Sequence, residues 1–301
     1  MTSTRPYSVD LSQLRLHLED SAIGTAQQPV VICLHGFPDS PRTWDQLRPE
    51  LEAQGYRVIV PALPGYAPSG LHAQGDYRVP TLARIFVELL DALELEQVHL
   101  VGHDWGAVIA YALANLTPHR IISMLTAAVP HPRALRPHPA QLKRSWYMGY
   151  FQWPGAARRV AENNLAFLDQ LWRSWSPHWA YSQADIQPVR EALGSAAHLQ
   201  AALNYYRAIP QALFSTTALS DLRLVFGRTA VPTRCVAGVD DGCMRLASFE
   251  HSAPAFTGPF DLLRMPDAGH FMHREQPAAF AAAVIDWFGQ YPHHTAKQQS
   301  S

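Results

Sequence analysis

Short apolar runs alternate with stretches of helical spacing over the first half of the chain. Leu14-Arg15-Leu16-His17-Leu18 alternates apolar and polar positions, as a half-buried strand does. Residues 29–34, 56–60 and 98–101 are short, mostly apolar runs, broken only by Arg57 and His99, the pattern of strands buried on both faces. Residues 43–53 and 80–93 have helical spacing, with Pro80-Thr81 opening the second. A further strand is expected at 121–126. The rhythm returns late, with strands at 233–237 and 260–264 and a helix over 277–288. Strands alternating with helices predict an α/β fold, a mostly parallel central sheet flanked by helices.

The pattern breaks in between. Residues 130–139 hold four prolines and read as a connection. From about Gln141 to Phe214 there is helical spacing and no strand pattern. Aromatics crowd it, among them Trp146, Tyr147, Tyr150, Trp172, Trp175, Tyr205 and Tyr206. This predicts a helical cap inserted after the sixth strand and lying over the sheet edge. Most of its aromatics must be core, but a few should line a pocket. The expected division is 1–133 for the first part of the core, 134–215 for the cap and 216–301 for the second part of the core. The polar tail from His293 is expected to fray.

One turn carries chemistry. Gly102-His103-Asp104-Trp105-Gly106 joins a strand to a helix with small residues on both sides of an acid. That is the pattern of a nucleophile elbow, with Asp where Ser is usual. A carboxylate is ionised near pH 7 and attacks carbon without a base. The ester it forms must then be hydrolysed, which needs a base for water and an acid to hold that base. His270 follows the last strand. Asp240 and Asp241 follow the strand before it, and both qualify by chemistry. His35-Gly36-Phe37-Pro38 follows an early strand, and its loop could aim an amide at the elbow. The amides of Phe37 and Trp105 are the expected oxyanion hole.

Composition removes other classes. Hydrophobic residues make up 48% and charged residues 16%, so a large core is affordable. A net charge of −1 gives no footprint for nucleic acid or an anionic membrane. No apolar run is long enough to span a membrane, and no signal-peptide pattern opens the chain. Three cysteines without a CxxC pair favour buried thiols and a cytoplasmic setting. The 15 histidines show no metal-ligand spacing, and no cofactor or metal is expected.

With these motifs in place, the chain from about Tyr7 to Gln290 resembles the epoxide hydrolases of the α/β-hydrolase fold, relatives of haloalkane dehalogenases. The resemblance rests on His35-Gly36-Phe37-Pro38, on the elbow and on Gly269-His270-Phe271. It implies Asp104 as nucleophile, His270 as base and Asp241, rather than Asp240, as relay acid. It also places Tyr147, or its rival Tyr150, and Tyr206 as the cap tyrosines that open the epoxide ring. His35, Pro38 and Tyr150 are expected around the substrate pocket. Ala62 departs from the family, which usually carries Asp there. The implied reaction takes a small apolar epoxide and water to a vicinal diol. The alternatives are a dehalogenase-type hydrolase and a non-catalytic binding protein on the same fold. Against the dehalogenase stands Phe37, where such relatives commonly carry Asn.

Overall fold

The computed structural model describes residues 5–21, 28–212 and 217–293. Eight strands form one sheet: β1 (Arg5–Asp10), β2 (Arg15–Asp20), β3 (Val30–Leu34), β4 (Arg57–Pro61), β5 (Val98–His103), β6 (Ile121–Ala127), β7 (Thr233–Gly238) and β8 (Phe260–Met265). Their spatial order is β1-β2-β4-β3-β5-β6-β7-β8. The β1–β2 and β2–β4 pairs are antiparallel, and every other pair is parallel.

The helices of the first part are α1 (Leu47–Ala53), α2 (Val79–Ala92) and α3 (Trp105–Leu116). The first five α-helices described after β6 are α4 (Pro139–Arg144), α5 (Trp146–Tyr150), α6 (Ala156–Trp175), α7 (Gln183–Leu193) and α8 (Ala196–Gln211). The chain closes with α9 (Ala218–Phe226), α10 (Leu246–Glu250), α11 (Met272–Glu275) and α12 (Pro277–Gly289).

Strand periodicity explains the two layers of core. On β3, Val31 and Cys33 join Trp44, Leu51, Phe280 and Val284 on the α1/α12 face. Val30, Ile32 and Leu34 point the other way and join Phe86, Leu89 and Ile109 of α2 and α3. Successive side chains leave a strand on opposite faces, so both faces of the sheet are covered by helices. Cys33 and Cys235 are free, buried thiols within strands.

Two expected elements differ. A short helical turn over Pro41–Trp44 and α1 replace one helix over 43–53. Pro49 is the cause: it has no amide proton and its ring blocks the carbonyl four residues back, so it fits only a first turn. The strand β1 was not expected. It pairs only with β2, and its half-exposed residues show weak alternation. The proline-rich segment is the connection expected, with one short turn over Pro132–Ala134 before Pro139 opens α4. The expected cap boundary at 215 and the tail beyond His293 lie outside the described residues. Among the described residues, no helix is long and apolar enough to cross a membrane.

The sheet order positions the site. From β3 the chain moves outward to β4, then returns to β5 on the other side of β3. Loops leaving the carboxyl ends of β3 and β5 therefore diverge, and ligands of open α/β sheets bind in such a crevice.

Candidate active site

Asp104 occupies the turn between β5 and α3 with φ 52° and ψ −117°. A non-glycine residue rarely holds positive φ, so surrounding contacts must fix it. They do so by close backbone approach. A Cβ on Gly106 would lie 2.1 Å from the Leu34 carbonyl oxygen, and one on Gly102 would lie 2.6 Å from the Gly106 carbonyl oxygen. A Cβ on Gly36 would lie 2.4 Å from the Asp104 Cβ. Three glycines thus let β3, β5 and α3 interlock around one carboxylate.

That carboxylate is held at both oxygens. The Phe37 amide donates to Oδ1 at 2.8 Å. Oδ2 faces the His270 Nε2 at 3.6 Å. Trp105 is the first residue of α3, where an amide has no acceptor within its own helix. His270 Nδ1 lies 2.9 Å from Asp241 Oδ2. The other Asp241 oxygen accepts the amides of Cys243 (2.6 Å) and Met244 (2.9 Å). Asp241 is buried, whereas Asp240 is half-buried and lies 3.9 Å from His178. The structure thus brings Asp104, His270 and Asp241 together and leaves Asp240 outside.

Burial alone would lower the His270 pKa. The charge of Asp241 and the contacts with both carboxylates outweigh it and push the ring up to about 10.

A cavity of about 760 Å³ opens over Asp104. Its walls are largely apolar: Val108, Val129, Leu135, Leu142, Met148, Ile209 and Phe226. Tyr147 of α5 and Tyr206 of α8 line it as well, with ring centroids 5.6 Å apart. Tyr206 packs edge-on against Trp105 (5.1 Å) and Phe37 (5.3 Å). Burial above all, with the Asp104 charge among the lesser causes, raises both phenols well above their ordinary pKa. Both rings therefore remain O–H donors. The Tyr147 hydroxyl lies 3.4 Å from the Cys243 sulfur. Among the described residues, neither the Tyr206 hydroxyl nor the Trp105 indole N–H meets hydrogen-bond geometry with a partner.

Three residues expected around the pocket do not line it. His35 is wholly buried, its ring nitrogens 3.0 Å from the Leu63 amide and the Gly36 carbonyl, so it braces the loop. The Pro38 carbonyl accepts the Trp172 indole at 2.8 Å, which docks the cap. Tyr150 stacks on Phe167 at 5.4 Å, and it is Tyr147 that lines the cavity.

Two contributors had no sequence signal. The Trp175 carbonyl at the end of α6 accepts the amides of His270 (3.0 Å) and Gly242 (2.9 Å). One carbonyl from the end of α6 thus ties together the loops that carry His270 and Asp241. Cys243, a lone cysteine in sequence, sits in the cavity wall beside Tyr147.

Residues 29–277 match the family model described as the alpha/beta hydrolase fold. The chain belongs to that family. It is 28% identical to epoxide hydrolase A of Mycobacterium tuberculosis, over 93% of this chain and 95% of that relative. It is 27% identical to an AB hydrolase superfamily protein of Bacillus subtilis, over 93% and 96% of the two chains. Among solved structures, a Klebsiella pneumoniae protein, provisionally assigned as an epoxide hydrolase, superposes with a TM-score of 0.84. That match has 29% identity and covers 94% of this chain and 97% of the other.

Proposed function

We propose that this protein is a cofactor-independent epoxide hydrolase that forms and then hydrolyses an alkyl ester of Asp104. One observation carries the reading: a carboxylate nucleophile and two protonated phenols face the same apolar cavity. The leaving oxygen of an epoxide stays attached and is strongly basic, so ring opening needs donors at that oxygen. Tyr147 and Tyr206 supply them. The Asp104 Oδ2 attacks an epoxide carbon from the side opposite the ring oxygen, while the Phe37 amide holds Oδ1.

Ester formation then prepares the second step. It removes the Asp104 charge, one of the two anions that keep His270 protonated. The alkoxide of the opened ring takes a proton from a cap tyrosine, and the His270 proton makes that good by way of solvent, which leaves a neutral ring able to take a proton from attacking water. Asp241 orients it. The tetrahedral oxyanion develops at Oδ1, where the Phe37 amide already stands, with the Trp105 amide as second donor. Collapse expels the diol and restores the carboxylate.

A second reading has one observation in its favour. The free Trp105 indole N–H in the cavity could bind a departing halide, as in a dehalogenase. Phe37 offers no side-chain donor beside it. The test is to assay diol formation from styrene oxide beside halide release from a bromoalkane. Diol formation with negligible halide release is expected. The reverse ratio assigns the dehalogenase reading, and failure of both, with the triad intact, leaves a binding protein.

A further inference from the structure

Three successive amides around His270 are each held from outside their own loop. The His270 amide donates to the Trp175 carbonyl at 3.0 Å. The Phe271 amide donates to the Ser176 hydroxyl oxygen at 3.0 Å, and that hydroxyl gives its own hydrogen to Glu275 Oε1 at 2.7 Å. Glu275, the last residue of α11, accepts the Gly269 amide at both carboxylate oxygens, at 3.0 and 2.9 Å. A Cβ on Gly269 would lie 2.6 Å from the Ser176 Cα, so the loop and the end of α6 meet backbone to backbone.

A base must aim two ring nitrogens at once. His270 Nδ1 stays on Asp241 while Nε2 faces Asp104. Two side-chain torsions connect that ring to its backbone, so any shift of the backbone carries both nitrogens with it. Ionised acceptors hold amides more firmly than neutral ones, and Ser176 fixes the Glu275 carboxylate in turn. None of Trp175, Ser176 and Glu275 lines the cavity, so none of them acts on a substrate directly. Trp175 packs its ring 4.9 Å from His270 and 5.0 Å from Tyr147, so its loss would disturb both sides of the site. Ser176 and Glu275 are more selective. Among the described residues, their side chains hydrogen-bond only to the His270 loop and to each other.

We propose that Ser176 and Glu275 are positioning residues for His270, needed to hydrolyse the ester and dispensable for forming it. The inference rests on the two-step reaction proposed above. Ester formation uses Asp104 and the two phenols, and Ser176 and Glu275 bond to none of them. Hydrolysis uses the His270 Nε2, which must meet a water on its line of attack. Without Ser176 or Glu275 an amide beside His270 loses its acceptor, and the loop must move to find another.

The test compares Ser176→Ala and Glu275→Ala with wild type and with Glu275→Gln, which keeps one acceptor oxygen. Single turnovers of styrene oxide are quenched in acid, and mass spectrometry of the peptide carrying Asp104 gives separate rates for the rise and the decay of the ester. In each Ala variant the decay should slow roughly 10–100-fold at an unchanged rise, the cost of misplacing a reacting group by about 1 Å. Glu275→Gln should recover most of the decay rate. A second readout does not depend on turnover. The far-downfield NMR signal of the proton on His270 Nδ1, assigned by its loss in His270→Gln, should broaden in both Ala variants as the loosened ring exposes it to exchange. If Ser176→Ala fails to fold, the half-buried Glu275→Ala carries the test. Rise and decay slowed in equal measure would mean a merely structural role and overturn the proposal, as would a wild-type decay rate in the folded variants. Absence of ester in the wild type would instead overturn the reaction, and the NMR signal then decides on its own: broadening keeps the placement of His270, and an unchanged signal overturns it.

Discussion

The two sides of the cavity are built by different means. On the sheet side, backbone fixes the chemistry: three glycines let strands and helix close on Asp104, and an amide holds its carboxylate. On the cap side, side-chain packing does so: Tyr147 and Tyr206 are held by aromatic contacts with each other and with Phe151. A backbone-built site tolerates almost no change in residue size, because backbone cannot yield locally. A packing-built site can re-pack, so the helices over the cavity are where substrate preference can drift while Asp104 stays fixed. Adjacent residues show the contrast. Tyr206 faces the nucleophile, whereas Tyr205 turns its hydroxyl to the Pro64 carbonyl at 2.7 Å and anchors α8 to the core.

Substitutions on the two sides should separate these roles. The largest loss is expected on the sheet side. Asp104→Ala removes the proposed nucleophile, and turnover should fall by about 10⁴-fold or more. In wild type, a single turnover in heavy-oxygen water should give a first diol whose new oxygen comes from the protein. Label from water in that first diol would instead mean direct attack by water.

His270→Gln comes next, with kcat lower by about 10²–10⁴-fold. Its alkylation step should survive, so intact-peptide mass spectrometry should find a substrate adduct on the peptide carrying Asp104. Asp241→Asn should impair hydrolysis more than Asp240→Asn, since only Asp241 touches His270. The reverse order would reassign the relay acid.

The cap side should yield smaller single effects. Tyr147→Phe or Tyr206→Phe should each slow alkylation by about 10–150-fold, the worth of one charge-assisted hydrogen bond. The double variant should cost far more, at an unchanged Tm, and Tyr150→Phe should cost little. Wild-type alkylation by the double variant would remove both tyrosines from the mechanism.

The last effect is on stability rather than turnover and concerns acid. Burial pushes His35, His99 and His131 down to about 4 from an ordinary value of 6.5. A depressed folded pKa gives stability that is whole above pH 6.5 and lost as pH falls through 4. Each ring contributes a slope on the order of 1.4 kcal/mol per pH unit within that window. All three lie outside the cap helices, so lowering the pH from 7 to 5 should reduce Tm and core-strand hydrogen-exchange protection first. Protection lost from the cap helices first would break the comparison.

The same contrast explains what could be read from sequence. Glycine spacing reports backbone approach directly, so the elbow and the Phe37 loop were legible. Strand periodicity located seven of the eight strands, and the edge strand β1 escaped because its exposed positions do not alternate. Tyr147 and Tyr150 could not be ordered from their own spacing, because α5 is too short to show a periodicity. His35 and Pro38 misled for a different reason. Their motif marks a loop beside the pocket, yet its ring nitrogens and carbonyl serve the loop and the cap docking. The Trp175 carbonyl was invisible, since any residue can offer one.

The single amide on Asp104 Oδ1 gives the two carboxylate oxygens different histories. In the proposed cycle Oδ2 departs with every diol and a solvent atom replaces it, while Oδ1 stays under the Phe37 amide. After many cycles in heavy-oxygen water the side chain should carry one new atom and one original. Each time the resting carboxylate releases that amide and turns over, the original atom becomes the next to leave. The ratio of doubly to singly labelled Asp104 therefore counts those flips against catalytic cycles, so the chain keeps its own record of how firmly one hydrogen bond holds.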